Sequence, residues 1–366
     1  MNLKKSLLHF ALVVLIDTSC QQNNQPAPSS TNNNNSGGGT NTQSWVPATP
    51  FPSPNGPVTS MAKLNNELYV GGGFTQIGGI VSNKVAKWNG TSWSPMSFNS
   101  PTSGQVKTIM AYNNSVFIGC TGTSFESLFK WNGSSWVFAG LKGNINAMCN
   151  YNGQLVVAGD LSDTLGNHFS VAIGNTVGNW TGLGPFMGEV ASLCVYNNEI
   201  YCGSNFVKKW SGSSWIDVTG ITANNIYVMS LNVYNNKLIA GGNIGSIGGI
   251  TTKNLVQYDG AQWSSFGFSI GTQINPGYVL SIYLNGTDMY IIGSPGYFDD
   301  STTLPAYRQV LKYNGSQWSS VGTNMFSGST TAGVASIIEY NGYLFAGGDL
   351  INDFAYTFSK LCKIQI

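Results

Sequence analysis

Few residues in this chain could do chemistry. Of its two histidines, His9 falls in an N-terminal apolar run and His168 in "DLSDTLGNHF", while Arg308 is the only arginine. A copper centre with two histidine ligands cannot be built from that supply. Neither can a clamp of several arginines around a carboxylate. A Ser-His-Asp triad would have to use His168, and no serine lies within G-x-S-x-G. No P-loop and no HExxH motif occurs. "GLGPFMG" from Gly182 has the glycines of a phosphate loop but reads as a turn between repeated units. Carboxylates remain. Asp160, Asp163, Asp299, Asp300, Asp349 and Asp353 all fall in one kind of loop. Paired there, they could perform acid–base chemistry on a glycoside or hold Ca2+. Singly, aspartate in a loop forms turns. As a loop residue, His168 reads as solvent-exposed.

The composition limits the partners. Charged residues make up 8% of the 366, against roughly 25% in an ordinary soluble domain, and the net charge is +1. That leaves no electrostatic case for nucleic acid or an anionic membrane surface. With 46 glycines and 12% aromatics, the balance is that of a turn-rich β protein. Cysteines 120, 149, 194, 202 and 362 show no CxxC, and simple pairing sets Cys194 opposite Tyr201, so buried free thiols are expected.

The candidate loops hang on a repeat marked by Trp45, Trp93, Trp136, Trp180, Trp215, Trp263 and Trp318. Each unit opens with a strand of the form V-x-small-apolar, such as "VTSM" at Val58, "VKTI" at Val106, "INAM" at Ile145 and "VASL" at Val190. A "YNN" or "YNG" turn follows, then a strand ending in glycine ("LYVGGG", "LIAGG", "LFAGG") and a loop of variable length. A third strand such as "KVAKW" leads through Asn-Gly, expected as a type I′ turn, into the tryptophan strand. A four-stranded unit of this size cannot bury both faces alone, but units arranged radially can.

The order Gly-Gly, aromatic, Trp resembles the kelch repeat and the central propeller of galactose-oxidase-like proteins. Gly71, Gly72, Trp88 and Trp93 fit it well, whereas "VAIGNTVGNW" is degenerate. The resemblance implies an all-β fold, a seven-bladed β-propeller of four-stranded antiparallel blades over residues 44–366. It implies no activity. The last unit stops at "KLCKIQI" without its tryptophan strand, and the orphan "TQSWVPATP" near the start supplies one. Closure by this N-terminal outer strand is expected.

Aligning the glycine strands places one small or polar residue per blade at the loop face: Gly73, Thr121, Asp160, Asn205, Asn243, Ser294 and Asp349. A strand end facing water needs polar residues, and so does a ligand funnel. On the second reading Asp160, Asn205, Asn243, Ser294 and Asp349 contact ligand, with Phe354 in an adjacent loop to stack on it. The loop face is favoured because its loops differ from blade to blade while the opposite turns are nearly interchangeable.

Residues 1–19 read as a signal peptide: Lys4 and Lys5, an apolar run over 7–16, then "LIDTSC". The segment resembles a bacterial lipoprotein signal with Cys20 as the lipidated residue, although Asp17 stands where the pattern prefers leucine. Residues 20–43 are a low-complexity linker. Together these give a protein of the bacterial cell envelope, an outer-membrane lipoprotein, or a secreted one if Cys20 carries no lipid. Membrane contact is expected only through that lipid. The function expected is a non-catalytic binding module for carbohydrate or an envelope or extracellular protein, with no obligatory cofactor. Two alternatives stand beside it: a metal-independent glycosidase or lyase using loop Asp pairs, and a structural subunit of an envelope complex.

Overall fold

Alternation of apolar and small residues folds each repeat into one antiparallel sheet, with strands running inner, second, third, outer in chain order. The computed structural model describes residues 44–48, 53–99, 104–122, 126–174, 178–220, 224–252, 254–266, 278–294, 310–322, 333–349 and 360–366. Blade one comprises Val58–Leu64, Glu67–Gly72, Val85–Trp88 and Trp93–Pro95. The later inner strands are Val106–Tyr112, Lys142–Tyr151, Ser192–Tyr196, Asn224–Tyr234, Tyr278–Asn285 and Gly333–Tyr340. Each inner strand touches the next, and the seventh touches the first. The chain is a seven-bladed β-propeller. The signal segment, Cys20, the linker, Asp299, Asp300, Arg308, Asp353 and Phe354 lie outside the described residues.

The last blade closes as its sequence requires. Its outer strand is Val46–Pro47, paired antiparallel to Leu361–Gln365 with Val46 opposite Lys363 and Pro47 opposite Cys362. Proline is tolerated there because no further strand needs its missing amide.

Two residue types fasten the seams between blades. Outer-strand indoles donate backwards: Trp136 to the Met96 carbonyl at 2.7 Å, Trp215 to Leu183 at 2.6 Å and Trp263 to Val218 at 2.6 Å. Trp180 does the same to Ala139 at 2.6 Å, although it lies just before the two-residue outer strand Thr181–Gly182 rather than within it. On the opposite face, the tyrosines of the turns donate forwards. Tyr112 reaches the Gly153 carbonyl, Tyr151 Asn198, Tyr196 Asn236, Tyr234 Thr287 and Tyr340 Asn66. A buried aromatic with a polar tip suits this duty, since its ring fills the gap and its donor finds a carbonyl.

One turn assignment from the sequence is corrected. The left-handed pairs belong to the Asn-Asn and Asn-Gly turns between first and second strands, as at Asn65 (φ 51°) and Asn66 (φ 59°) or Asn152 (φ 50°) and Gly153 (φ 75°). In "WNGTSW" only Gly90 has positive φ, because the loop between the paired Trp88 and Trp93 holds four residues. There Asn89 acts through its side chain, whose Oδ1 accepts the amides of Thr91 and Ser92. The paired glycines allow close approach as expected. A Cβ on Gly71 would lie 2.7 Å from Val106 Cγ1 of the next blade, and one on Gly347 equally close to Val58 across the closing seam. Cysteines 120, 149, 194, 202 and 362 are buried and form no disulfide among the described residues, and Cys194 does lie opposite Tyr201. Burial pushes the Cys120 thiol up to about 12, so it is inert as a nucleophile.

Candidate functional site

The V-x-small pattern of the inner strands has a local cause. A bulge falls between Val58 and Ser60, Val106 and Thr108, Ile145 and Ala147, Val228 and Ser230, Val279 and Ser281, and Val334 and Ser336. The middle residue has no cross-strand partner and is released from the sheet's alternation. In blades two and three it is Lys107 and Asn146, only 8% and 3% exposed.

Both turn toward Glu189, which stands just ahead of blade four. Lys107 Nζ lies 3.9 Å from Glu189 Oε1, and Asn146 Nδ2 donates to that same oxygen at 2.8 Å. Asn146 Nδ2 also donates to the Val190 carbonyl at 2.8 Å. Both partners can only accept, which fixes the amide's orientation and leaves Asn146 Oδ1 buried without a partner. Burial pulls the Lys107 ammonium below its usual pKa, and the Glu189 charge restores part of the loss. In blade five, burial raises the Tyr227 hydroxyl. The Glu189 charge raises it further, and a hydrogen bond to Ser204 works the other way.

The bulges also set two concentric circles of residues. One step before each of these six bulges stand Pro57, Gln105, Asn144, Tyr227, Tyr278 and Gly333, and Glu189 holds the equivalent place before Val190 in blade four, whose inner strand has no bulge. The polar circle expected from the sequence lies one strand farther out, opposite these. Asn144 pairs with Asp160, Tyr227 with Asn243, Tyr278 with Ser294 and Gly333 with Asp349. Asn205 is exposed and Asn243 half-buried, while Ser294 and Asp349 are placed by their backbone. No sequence alignment of the glycine strands could reach the inner circle. Its signal was a lysine inside "VKTI" and a glutamate before "VASL", in a chain that carries 8% charge.

Asp160 has company the sequence did not indicate. Its Oδ1 lies 2.9 Å from His168 Nε2, and the imidazole stacks on Phe186 with ring centres 4.4 Å apart and planes at 15°. His168 therefore opens the third strand with partners on two sides, and its side chain keeps 54% exposure. Nearby, Asp163 ties its own loop. Its Oδ1 accepts the amides of Leu165 and Asn167, and Oδ2 accepts from the Asn167 side chain. Slight burial would raise this carboxyl, but the bonds from Asn167, Leu165 and Gly166 hold it below the usual range. The loop so fixed presents Leu165 at 86% exposure, and Phe186 keeps 43%.

The connection over residues 182–190 joins these features. It lays Phe186 on His168 and brings Glu189 to Asn146 and Lys107. Among the described residues, no three His, Cys, Asp or Glu side chains converge to hold a metal ion. A groove of about 610 Å³ lies elsewhere, on the rim between blades one and two, lined by Met96, Phe98, Phe129, Trp131 and Trp136. It is a seam between outer strands, spanned by the Trp136–Met96 bond.

No protein-family model matches this chain, and no curated protein does. Solved structures do. The chain is similar to the WD40 β-propeller domain of Doa1, with 14% identity over 88% of this chain and 96% of that one, at a TM-score of 0.56. It is similar to YCF48 bound to D1 peptide, with 12% identity over 89% and 98% and a TM-score of 0.55. A chain of the mitotic checkpoint complex matches at 13% identity over 94% and 99%, with a TM-score of 0.54. At these identities the likeness establishes the propeller fold.

Proposed function

We propose that this chain is a non-catalytic binding module, held at a bacterial envelope by lipid on Cys20, whose loop face takes a segment of a protein partner. One observation carries the binding reading. A single connection, residues 182–190, sets an exposed aromatic, Phe186, beside an incompletely bonded polar cluster, with Leu165 standing free on a tied loop next to it. Apolar anchors beside an accessible carboxylate, that of Glu189, are what a peptide can satisfy. YCF48, a propeller of the same architecture, is solved with a peptide bound. The anchor reading is supported by Lys4, Lys5, the apolar run over 7–16 and the polar tether after Cys20. The kelch-like pattern at Gly71, Gly72, Trp88 and Trp93 supports that subtype of propeller.

The test is to select displayed peptides on the purified protein and to compare them with a panel of polysaccharides assayed for binding and for released reducing ends. Selected peptides should lose at least about tenfold in affinity to a Leu165→Asp, Phe186→Asp double variant with an unchanged melting temperature. Peptide binding indifferent to that variant, or glycan binding in its place, would overturn the reading. One observation favours an enzyme instead: the His168–Asp160 contact is a ready acid–base pair. Turnover abolished by Asp160→Asn would establish that alternative.

A further inference from the structure

We propose that the inner circle of residues at the loop face is a subsite for a basic side chain, lysine or arginine, of the partner segment. This rests on the loop face being a protein-binding surface. Three residues of the inner circle carry it.

Glu189 offers an open carboxylate oxygen. Its Oε1 holds both Asn146 and Lys107, and Oε2 accepts no hydrogen bond among the described residues. Lys107 does not block the approach, because its side chain is 10% exposed against 34% for Glu189. An incoming group meets the carboxylate first and the buried ammonium only behind it. Tyr227 stands within reach of the same charge, which shifts its hydroxyl. Tyr278 holds the equivalent position in blade six and is 42% exposed, and the inner strands of blades five and six touch. A carboxylate whose charge reaches Tyr227, with the exposed Tyr278 next around the same circle, favours a cation, which gains from the charge and from the π faces together. Across the ring, Gly333 and Pro57 carry no long side chains. An acidic side chain would be repelled by Glu189, and an apolar one would leave Oε2 unsatisfied.

The probes are Ac-Gly-Lys-Gly-NH2, Ac-Gly-Arg-Gly-NH2 and the uncharged Ac-Gly-norleucine-Gly-NH2, titrated into the full chain by NMR at low and high salt. The basic peptides should bind about tenfold tighter than the norleucine peptide, with the advantage shrinking as salt rises. Glu189→Gln and Tyr278→Ala should each remove most of that preference, and Tyr278→Phe should keep it. Glu189→Gln also strands Lys107, so its melting temperature is measured alongside; Tyr278 is exposed and gives a variant free of that concern. Equal affinity for the lysine and norleucine peptides, or an unchanged preference in Tyr278→Ala, overturns the subsite. Displayed peptides that need Leu165 and Phe186 but carry no basic residue would overturn it too, and leave the binding module standing.

Discussion

The indole of Trp45 donates to the carbonyl of Val321 at 2.8 Å, across 276 residues of chain. Trp136, Trp180, Trp215 and Trp263 make the same bond to the blade before them, so the seam between blades six and seven is built like those four, whereas the indole nitrogen of Trp93 is buried without an acceptor. Trp45 is 4% exposed and packs among Tyr283, Val310, Leu361 and other residues of blades six, seven and one. The short strand around it acts as a structural element despite its two paired residues.

Removing residues up to Gln43 should leave the melting temperature unchanged, whereas removal through Pro54 should lower it sharply. Trp45→Phe should cost about 1 kcal/mol for the lost bond, and Trp45→Ala about 3–5 kcal/mol for the cavity as well. Denaturant unfolding checks all four. Equal midpoints for the two truncations would sink the closure argument.

Lys107→Met tests the price of a buried ammonium. Its folded pKa lies below the unfolded value near 10.4, so the unfolded chain binds more protons between those two values. Wild-type stability therefore rises with pH across that window as far as this residue contributes. The methionine variant should match or exceed the wild type by about 1 kcal/mol at pH 8, with the gap closing toward pH 10.5. A variant that is less stable at pH 8, with a gap that widens upward, would show that Lys107 stabilises the fold.

Asp163→Ala should free the loop that carries Leu165. Amide exchange at Leu165 and Asn167 should speed up, and peptide affinity should fall while the melting point barely moves. Since its carboxyl is held below the usual range, the wild-type loop should stay tied as pH drops to about 4 and loosen only beneath that. Exchange rates that rise already at pH 5 would contradict this.

Opposite-face turns serve as the control. Asn132 Oδ1 accepts the amides of Ser134 and Ser135, and Asn314 Oδ1 those of Ser316 and Gln317. Alanine at either position should cost about 0.5–1 kcal/mol of stability and leave peptide affinity untouched. Binding lost in a still-folded Asn132→Ala protein would put the ligand on the other face.

The architecture was legible because each strand repeats a period and each turn repeats its chemistry. Seven copies of V-x-small and seven tryptophans fix blade number and order, and an orphan tryptophan strand fixes the closure. What could not be read was which side chains escape the period. Lys107 and Asn146 sit on bulges, and a bulge inverts the alternation by which facing is inferred from sequence. Asp160 was placed at the loop face, but its contact with His168 spans a loop of its own blade, and the Phe186 stack comes from the next connection. Such meetings depend on loop geometry, which leaves no period to read.

The tyrosine bonds on one face and the tryptophan bonds at the rim form a fastening that recurs from seam to seam. A mutation in a loop of the remaining face therefore leaves that fastening whole. Selection can rewrite the exposed stretch around Leu165 without asking the ring to refold, whereas "FTQIGGIVSN" is held by Phe74 and Ile77, both buried in the core. The same division offers a protein engineer a place to graft foreign loops, and it predicts that relatives of this chain would keep their Tyr and Trp fasteners while recognising unrelated partners.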